Sequence, residues 1–465
     1  MLQSLRSPAA SRLRSSLSTC FTGAPAPASG PGPALAPVAV PAAQLRGFKA
    51  SATLQEEPAV DTTDYGKLSD EDLSRGLQRE TTQSRARKPF NVEYLRESMA
   101  RRPHRATYDF LAPGHSHLLN IALWDALPRE ARAGSIPDSA PSPPTKETPI
   151  SQFFMPSVSA PAGDSSHELP SGHHLVYFPL QRPISLLEPD GTDPAQSPGA
   201  PFVRRMWAGG ALDFRRPQNM KLDSGRAVCV ERLDTPNMAV RGGWGREKIF
   251  VDVVRRYGAS VADLDPSPSV TEPAKLLALE NKVWEDADFE ERRTLVFMRA
   301  KDDVPEEDIA AAATKKPQTE ERIVKSAREP EYSFAFTPTP TLLFQFSALS
   351  YNAHAIHLDV NYCRNVEGHR DLLVHGPLTL VLMLSAIRSR YTSSQVPPSR
   401  FIRTFEYRNI APLYANEELR VCVRRNVQDR AGGETGAGEP SSRWDVWVEN
   451  SRGSICARGT AVTCA

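Results

Sequence analysis

The 465-residue chain lacks any stretch approaching the roughly 18 uninterrupted apolar residues that a spanning helix requires, so a membrane-spanning helix is excluded and solubility expected. Net charge is almost absent: 56 basic side chains face 55 acidic ones, which argues against a nucleic-acid partner. Cysteine is scarce, with six residues (Cys20, Cys229, Cys363, Cys422, Cys456, Cys464) and no CxxC pair. Neither a disulfide framework nor a zinc site follows from such spacing, and a reduced compartment fits best. Acidic residues are missing altogether before Glu56, where Arg6, Arg12, Arg14, Arg46 and Lys49 stand among Ser, Ala and Pro. That composition predicts a mitochondrial transit peptide over residues 1–48, with a short amphipathic helix through Leu2, Leu5 and Leu13 and processing near Arg46-Gly47-Phe48. A Pro/Ala-rich tail carrying no address is the alternative. No long apolar h-region is present, which argues against secretion.

Proline is plentiful, 41 residues, and much of it falls in polar stretches that read as linker. Residues 49–105 are expected to be a polar, disordered segment with one short helix at Ser69–Leu73. An apolar helical pattern follows (Leu118, Leu119, Ile121, Ala122, Leu123), then a Pro/Ser-rich loop over Pro137–Pro144. Strand-like runs are predicted at Leu175–Phe178, Ala227–Val230, Ile249–Val254 and Leu295–Met298. Residues 300–331 read as a linker, and 256–331 as an insertion between strands. The last third predicts a strand at Tyr332–Phe336, helices at Thr341–Ser350 and Pro377–Arg388, and strands at Phe401–Tyr407, Leu419–Arg424, Trp444–Glu449 and Ile455–Thr463. A long apolar helix followed by successive strands is an α+β layout.

A gapless repeat relates the two halves: residues 213–232 align with 406–425 at an offset of 193. Arg215 matches Arg408, Val228-Cys229-Val230 matches Val421-Cys422-Val423, and Arg232 matches Arg425. Both copies read as strand, polar turn, strand, which predicts two copies of one fold. The organisation expected is therefore 106–299 as a first domain, 300–331 as linker and 332–465 as a second domain. The same offset carries the His-rich stretch of the second copy onto Ser159–Asp164, which has no histidine, so only the second half is expected to carry chemistry.

That stretch is Tyr351-Asn352-Ala353-His354-Ala355-Ile356-His357-Leu358-Asp359, followed by Val374-His375-Gly376-Pro377-Leu378. A histidine titrating near neutrality can shuttle protons, and His357 is the better placed of the pair; His354, three residues away, is expected to point elsewhere. Asn352 cannot transfer protons, but its carboxamide can orient water or a hydroxyl. Gly376 lets backbone approach a ligand, and Pro377 suits a first helical turn, so the Gly376 amide lies at a positive helix end and can stabilise an oxyanion. Together these are the parts needed to remove water from a 3-hydroxyacyl thioester.

The segment resembles the motif of the MaoC-like hot-dog hydratases, D-x-N-P-(I/L)-H-x-D followed by H-G, and in particular the double hot-dog 3-hydroxyacyl-thioester dehydratases of type 2 from fungal mitochondria. The run Arg205-Met206-Trp207-Ala208-Gly209-Gly210 is similar to theirs. The resemblance covers roughly residues 106–465. It implies a tandem hot-dog fold, antiparallel sheets each wrapping a central helix, with a catalytic second half and a first half whose cavity receives the acyl tail. It implies His357, Asn352 and Gly376 as catalytic residues, with His354, His375, Arg403 and Arg408 binding substrate, and no metal or cofactor. The motif's acidic position is Asn352 here, a departure that leaves His357 as the main proton carrier. Asp359 either orients His357 or faces solvent.

The implied reaction is reversible dehydration of (3R)-hydroxyacyl thioesters to trans-2-enoyl products in mitochondrial type II fatty acid synthesis, in the matrix. Acyl carrier protein or coenzyme A would bear the substrate, and Arg388, Arg390, Arg400, Arg403 and Arg408 would form a basic rim for an acidic carrier; an ordinary solvated surface is the alternative. Three other readings stand beside it: a hydratase of a short branched dicarboxyl-CoA of the mesaconyl type, a non-catalytic acyl-binding subunit, and a thioesterase. The last needs a carboxylate base near Gly376 that the sequence does not offer. A homodimer remains an open expectation.

Overall fold

The computed structural model describes residues 91–132, 168–243, 246–259, 273–300, 323–391, 401–426 and 441–464. The expected transit peptide, the Ser69–Leu73 helix, the Pro137–Pro144 loop, the Ser159–Asp164 segment, most of the 300–331 linker and Arg400 lie outside these residues.

The first half opens with helix α1 (Val92–Ala100), strand β1 (Arg105–Phe110) and helix α2 (Pro113–Ala122). It continues through β2 (Arg204–Phe214), β3 (Arg226–Leu233), β4 (Ala239–Arg241), β5 (Lys248–Ala259), helix α3 (Pro273–Glu285) and β6 (Phe289–Met298). The second half has β7 (Tyr332–Phe336), α4 (Pro340–Ser350), α5 (Gly376–Tyr391), then β8 (Phe401–Asn409), β9 (Leu419–Asn426), β10 (Ser441–Asn450) and β11 (Ile455–Cys464). All strands join one antiparallel sheet in the order β1-β3-β5-β6-β2-β8-β11-β10-β9-β7, with β4 paired to β5. Read inward from either edge, the order is that of equivalent strands, and the offset of 193 carries the ends of β3 onto the ends of β9. This is the double hot-dog architecture of an α+β protein. The two copies meet where β2 pairs β8, from Gly209 opposite Arg408 to Asp213 opposite Thr404.

Helix α5 forms because Pro377 sits in its first turn and nearly every following residue is apolar. Leu378, Leu380, Val381, Leu382, Met383, Leu384, Ala386 and Ile387 are fully buried, as expected of a helix apolar all round and wrapped by a sheet. Each such large side chain contributes about 1.5–3 kcal/mol relative to exposure. The inner face of the first half is filled by shorter pieces. A 3₁₀ turn at His173–Val176 and the residues after it pack on β5 and β6, with His174 edge-on to Tyr257 and Phe289 at 5.8 and 4.7 Å. This corrects the strand expected at Leu175–Phe178. Gly172, at φ +95°, starts the turn in the left-handed region, where a strand cannot begin.

Two further expectations are corrected. Part of the 49–105 segment is ordered: Asn91 caps α1 by accepting from the Glu93 and Tyr94 amides, and Met99 is buried with Phe202, Val251 and Val253. Nor is 256–331 an insertion as a whole, because it holds the end of β5 and all of β6. Helix α3 between them covers the outer face, Val283 packing on Val228 and Val230, and Gly258 leaves room for it: a Cβ there would lie 2.7 Å from Val283 Cγ2.

Candidate active site

Helix α4 stops at Tyr351, whose φ of 52° is a left-handed cap, and the chain then turns into the His-rich stretch. Asn352 continues that cap, its amide donating to Ser347 O at 2.9 Å while its Oδ1 accepts from the His354 amide at 3.1 Å. Residues Ala355–His357 form a 3₁₀ turn, in which positions three apart eclipse. His354 and His357 therefore face one space, rings edge-on at 5.6 Å, rather than diverging as an extended loop would place them.

The His357 Nδ1–H donates to Leu373 O at 2.8 Å, which leaves Nε2 as the acceptor. Burial, aided by neighbouring His354 and Arg205, pushes this imidazole down to about 3 despite the Leu373 carbonyl, so it is neutral at physiological pH. His375 stacks on it at 3.7 Å, and its Nε2 meets Ser347 Oγ at 2.8 Å. The first half buries a matching pair, Ser116 Oγ with His173 Nδ1 at 2.7 Å. That repetition, in a half without the His-rich stretch, marks the serine–histidine contact as part of the fold. His375, fully buried, supports His357 rather than touching a ligand.

Gly376 stands at the start of α5, where first-turn amides have no intrahelical acceptor. A Cβ here would lie 3.0 Å from Asn409 Nδ2 and 3.1 Å from Trp207 Cβ, so a larger residue would make these neighbours give by a few tenths of an ångström. Asn409 Nδ2 donates to Trp207 O at 2.9 Å, and Trp207 Nε1 donates to Tyr407 OH at 2.8 Å, which holds that wall.

His354, His357, Asn352 and Gly376 all line one cavity of about 420 Å³, a volume suited to a small ligand, that runs into the first half past Arg205, Trp207, Arg255 and Arg293. Arg205 donates to Asp193 O at 3.2 Å and has no carboxylate within ion-pair distance among the described residues. Arg403 and Arg408 do not line this cavity. Arg403 pairs with Asp213 and donates to Phe214 O at 3.1 Å, bracing the β2–β8 seam. Arg408 alternates with the inward Tyr407 and points to the outer face. The expected basic rim is not formed either: Arg388 is buried, donating to Ser171 O and Ala131 O, and Arg390 lies over the Tyr332 ring. Asp359 is exposed and caps the following turn through the Asn361 and Tyr362 amides, so it does not orient His357.

Sequence reasoning missed Asp190, Ser347 and Asn409. None belongs to a motif; each reaches the site from another element, and only Ser347 shares a neighbouring helix. Among the described residues no cluster of His, Cys, Asp or Glu could hold a metal, and no helix is long and apolar enough to cross a membrane.

A neutral imidazole and an exposed helix-start amide, enclosed within a paired hot-dog sheet, define a thioester-handling protein of the hot-dog class. The chain belongs to the hydroxyacyl-thioester dehydratase type 2 family, whose sequence profile matches residues 172–415. It is 27% identical over 264 residues to the mitochondrial hydroxyacyl-thioester dehydratase type 2 of Schizosaccharomyces pombe, covering 55% of this chain and 77% of that protein. It is 29% identical over 273 residues to a mesaconyl-C(4)-CoA hydratase of Chloroflexus aurantiacus, covering 58% and 79%. Among solved structures it is similar in fold to a MaoC-like dehydratase from Phytophthora capsici, at 12% identity and a TM-score of 0.43, over 81% of this chain and 98% of that one.

Proposed function

We propose that the chain is a mitochondrial hydro-lyase that reversibly dehydrates (3R)-hydroxyacyl thioesters to trans-2-enoyl thioesters in type II fatty acid synthesis. The observation that carries this reading is His357 Nδ1 tied to Leu373 O beside Gly376 in one cavity, which leaves a neutral Nε2 next to a helix-start amide. Nε2 takes the C2 proton. The thioester oxygen, as it becomes enolate-like, accepts from the Gly376 amide, where the helix dipole favours negative charge. Asn352 lines the cavity, and with its Oδ1 accepting from the His354 amide its NH₂ is left to orient the C3 hydroxyl. The mitochondrial assignment rests on the acid-free amino terminus together with the fungal relative named mitochondrial.

An acidic carrier protein has a basic groove to meet on the outer face of the seam. Arg241, Arg292, Lys325, Arg328, Arg408, Arg424 and Arg458 line it against Glu406 and Asp445. Arg408 and Arg458 stand directly opposite each other in the β8–β11 ladder, a like-charge pair that costs stability unless an anion sits between. The groove abuts the catalytic cavity at Ala208, Phe250, Asn409 and Ile410, which line both.

A second reading, hydration of a short dicarboxyl-CoA, is favoured by Arg205, which lines the cavity with no carboxylate within ion-pair distance among the described residues. Both are tested by following loss of enoyl absorbance on crotonyl-, decenoyl- and mesaconyl-CoA. The dehydratase reading expects turnover of the linear enoyl chains, falling about 10²–10⁴-fold in His357→Ala. Preference for mesaconyl-CoA would move the protein to the second reading, and no turnover on any of them would sink both. In the same assay, Arg408→Glu is expected to raise KM about tenfold for a carrier-bound thioester while leaving an N-acetylcysteamine thioester unaffected. Equal KM values would remove the groove from carrier binding.

A further inference from the structure

The dehydratase reading needs an acid as well as a base. The motif's carboxylate is replaced by Asn352, whose oxygen is already engaged by the His354 amide. A carboxylate nonetheless reaches the site from the other half of the molecule. The turn around residues 188–193 is keyed onto the His-rich stretch: the Ala355 amide donates to Asp190 O at 2.8 Å, and a Cβ on Gly191 would lie 2.2 Å from Ala353 O. Gly191 also has φ +82°, so both conformation and close approach reserve this position for glycine. The turn sets Asp190 Oδ2 3.4 Å from His354 Nε2, an ion-pair contact between two buried side chains. Asp190 Oδ1 is in turn held by the Thr192 amide at 2.9 Å and the Thr192 hydroxyl at 2.6 Å.

We infer that Asp190 is a positioning residue, supplied by the first half, that holds His354 as the general acid of the site while His357 acts as the base. A carboxylate only accepts, so His354 Nε2 carries a proton toward Asp190. The ring's other nitrogen, Nδ1, then belongs to a side chain that lines the cavity. Two histidines three residues apart thus take opposite roles through their partners: a carbonyl behind His357, a carboxylate behind His354. Burial opposes ionisation of Asp190, but hydrogen bonds from His354 and Thr192 outweigh it and hold the carboxyl down to about 2, so its charge is present throughout the working range.

In dehydration, His357 Nε2 removes the C2 proton and that electron pair forms the C2=C3 bond. The C3–O bond breaks, and the departing hydroxyl takes the proton from His354 Nδ1 to leave as water. His357 is left protonated and His354 neutral, and proton exchange with solvent restores both. The charged and titratable groups facing His354 are Asp190 on the turn, His357 on its own stretch, His375 ahead of α5, and Arg205 on β2, which lies within electrostatic reach of Asp190 and His357.

The inference rests on the dehydratase reading, and Asp190→Asn in the full-length protein tests it. Asparagine is isosteric and can still accept from Thr192, so the turn is kept. The expected result is a kcat about 10–10²-fold lower at unchanged KM. His354→Gln is expected to lose kcat at least to the same degree, and the double variant no more than His354→Gln alone, because Asp190 acts only through that ring. A merely structural role for Asp190 would raise KM as well and give losses that multiply in the double variant. If the losses multiply, or His354→Gln stays within about threefold of wild type, the acid assignment is wrong although enoyl hydration by wild type still stands. A wild type that hydrates no enoyl thioester overturns the reading and the inference together.

Discussion

At the residue scale, burial keeps imidazoles of both halves neutral. His173, His357 and His375 are each at most 6% exposed, and each is pushed below the ordinary histidine value, first by desolvation. A folded-state value below the unfolded one means that the unfolded chain binds more protons as pH drops. The stability held by these neutral rings is fully present above about pH 6.5 and is lost as pH falls from there toward the folded values, about 3 for His357. Urea unfolding followed from pH 7.5 to 5.0 should show this decline. His375→Gln, which keeps a group for Ser347, should flatten it by about one histidine's share. An identical slope in the variant would mean that His375 is protonated in the folded protein. The imidazoles themselves were plain in the sequence, since two within four residues ahead of an HG dipeptide suggest proton chemistry. Their partners were not, because Leu373, Ser347 and Asp190 are joined to them by folding, and no periodicity reports a contact between Asp190 and His354 across more than 160 positions.

At the scale of elements, period and punctuation carried most of the fold. Strand β7 falls on the predicted Tyr332–Phe336, and α5 begins one residue before the predicted Pro377, because a proline that opens an apolar run has few other places to sit. The failures share one cause. Leu175–Phe178 has the composition of a strand, but Gly172 and the ring contacts of His174 bend it into a turn that fills the first half's inner face. Helix α3 escaped notice inside a charged stretch where a single side chain among the described residues, Val283, is buried, too few to set a period. Arg403 and Arg408 read as one basic patch, yet alternate residues of a strand need not share an environment: one is taken by Asp213, the other faces the outer groove. The start of α5 offers a sharp test. Gly376→Ala pushes a methyl against Trp207 and Asn409, whose side chains brace each other, so the amide must shift by a few tenths of an ångström. With the helix otherwise unchanged, the expected outcome is a 10–10²-fold loss of kcat and a melting temperature within a few degrees of wild type. Retention of full kcat would show that this amide does not serve the reaction.

For the whole molecule, the repeat that suggests two separable domains builds one indivisible sheet. Strands β2 and β8 pair across the seam, and Gly209 shows how closely: a Cβ there would lie 2.4 Å from Tyr407 O. Cutting the chain between the halves would leave each with a long unpaired edge strand, a template for aggregation. The second half would also lose Asp190, Arg205 and Trp207, which it needs to close its cavity. The His-rich stretch lies in one copy and part of its cavity wall in the other, which is a physical reason for a duplicated fold to keep a copy without that stretch. Residues 323–465 produced alone should therefore be insoluble or inactive. Co-production with residues 88–300 should restore hydratase activity to within about tenfold, with the two fragments eluting as one complex. Full activity from the second half by itself would show that the first half contributes nothing to the site, and would count against every role assigned here to Asp190.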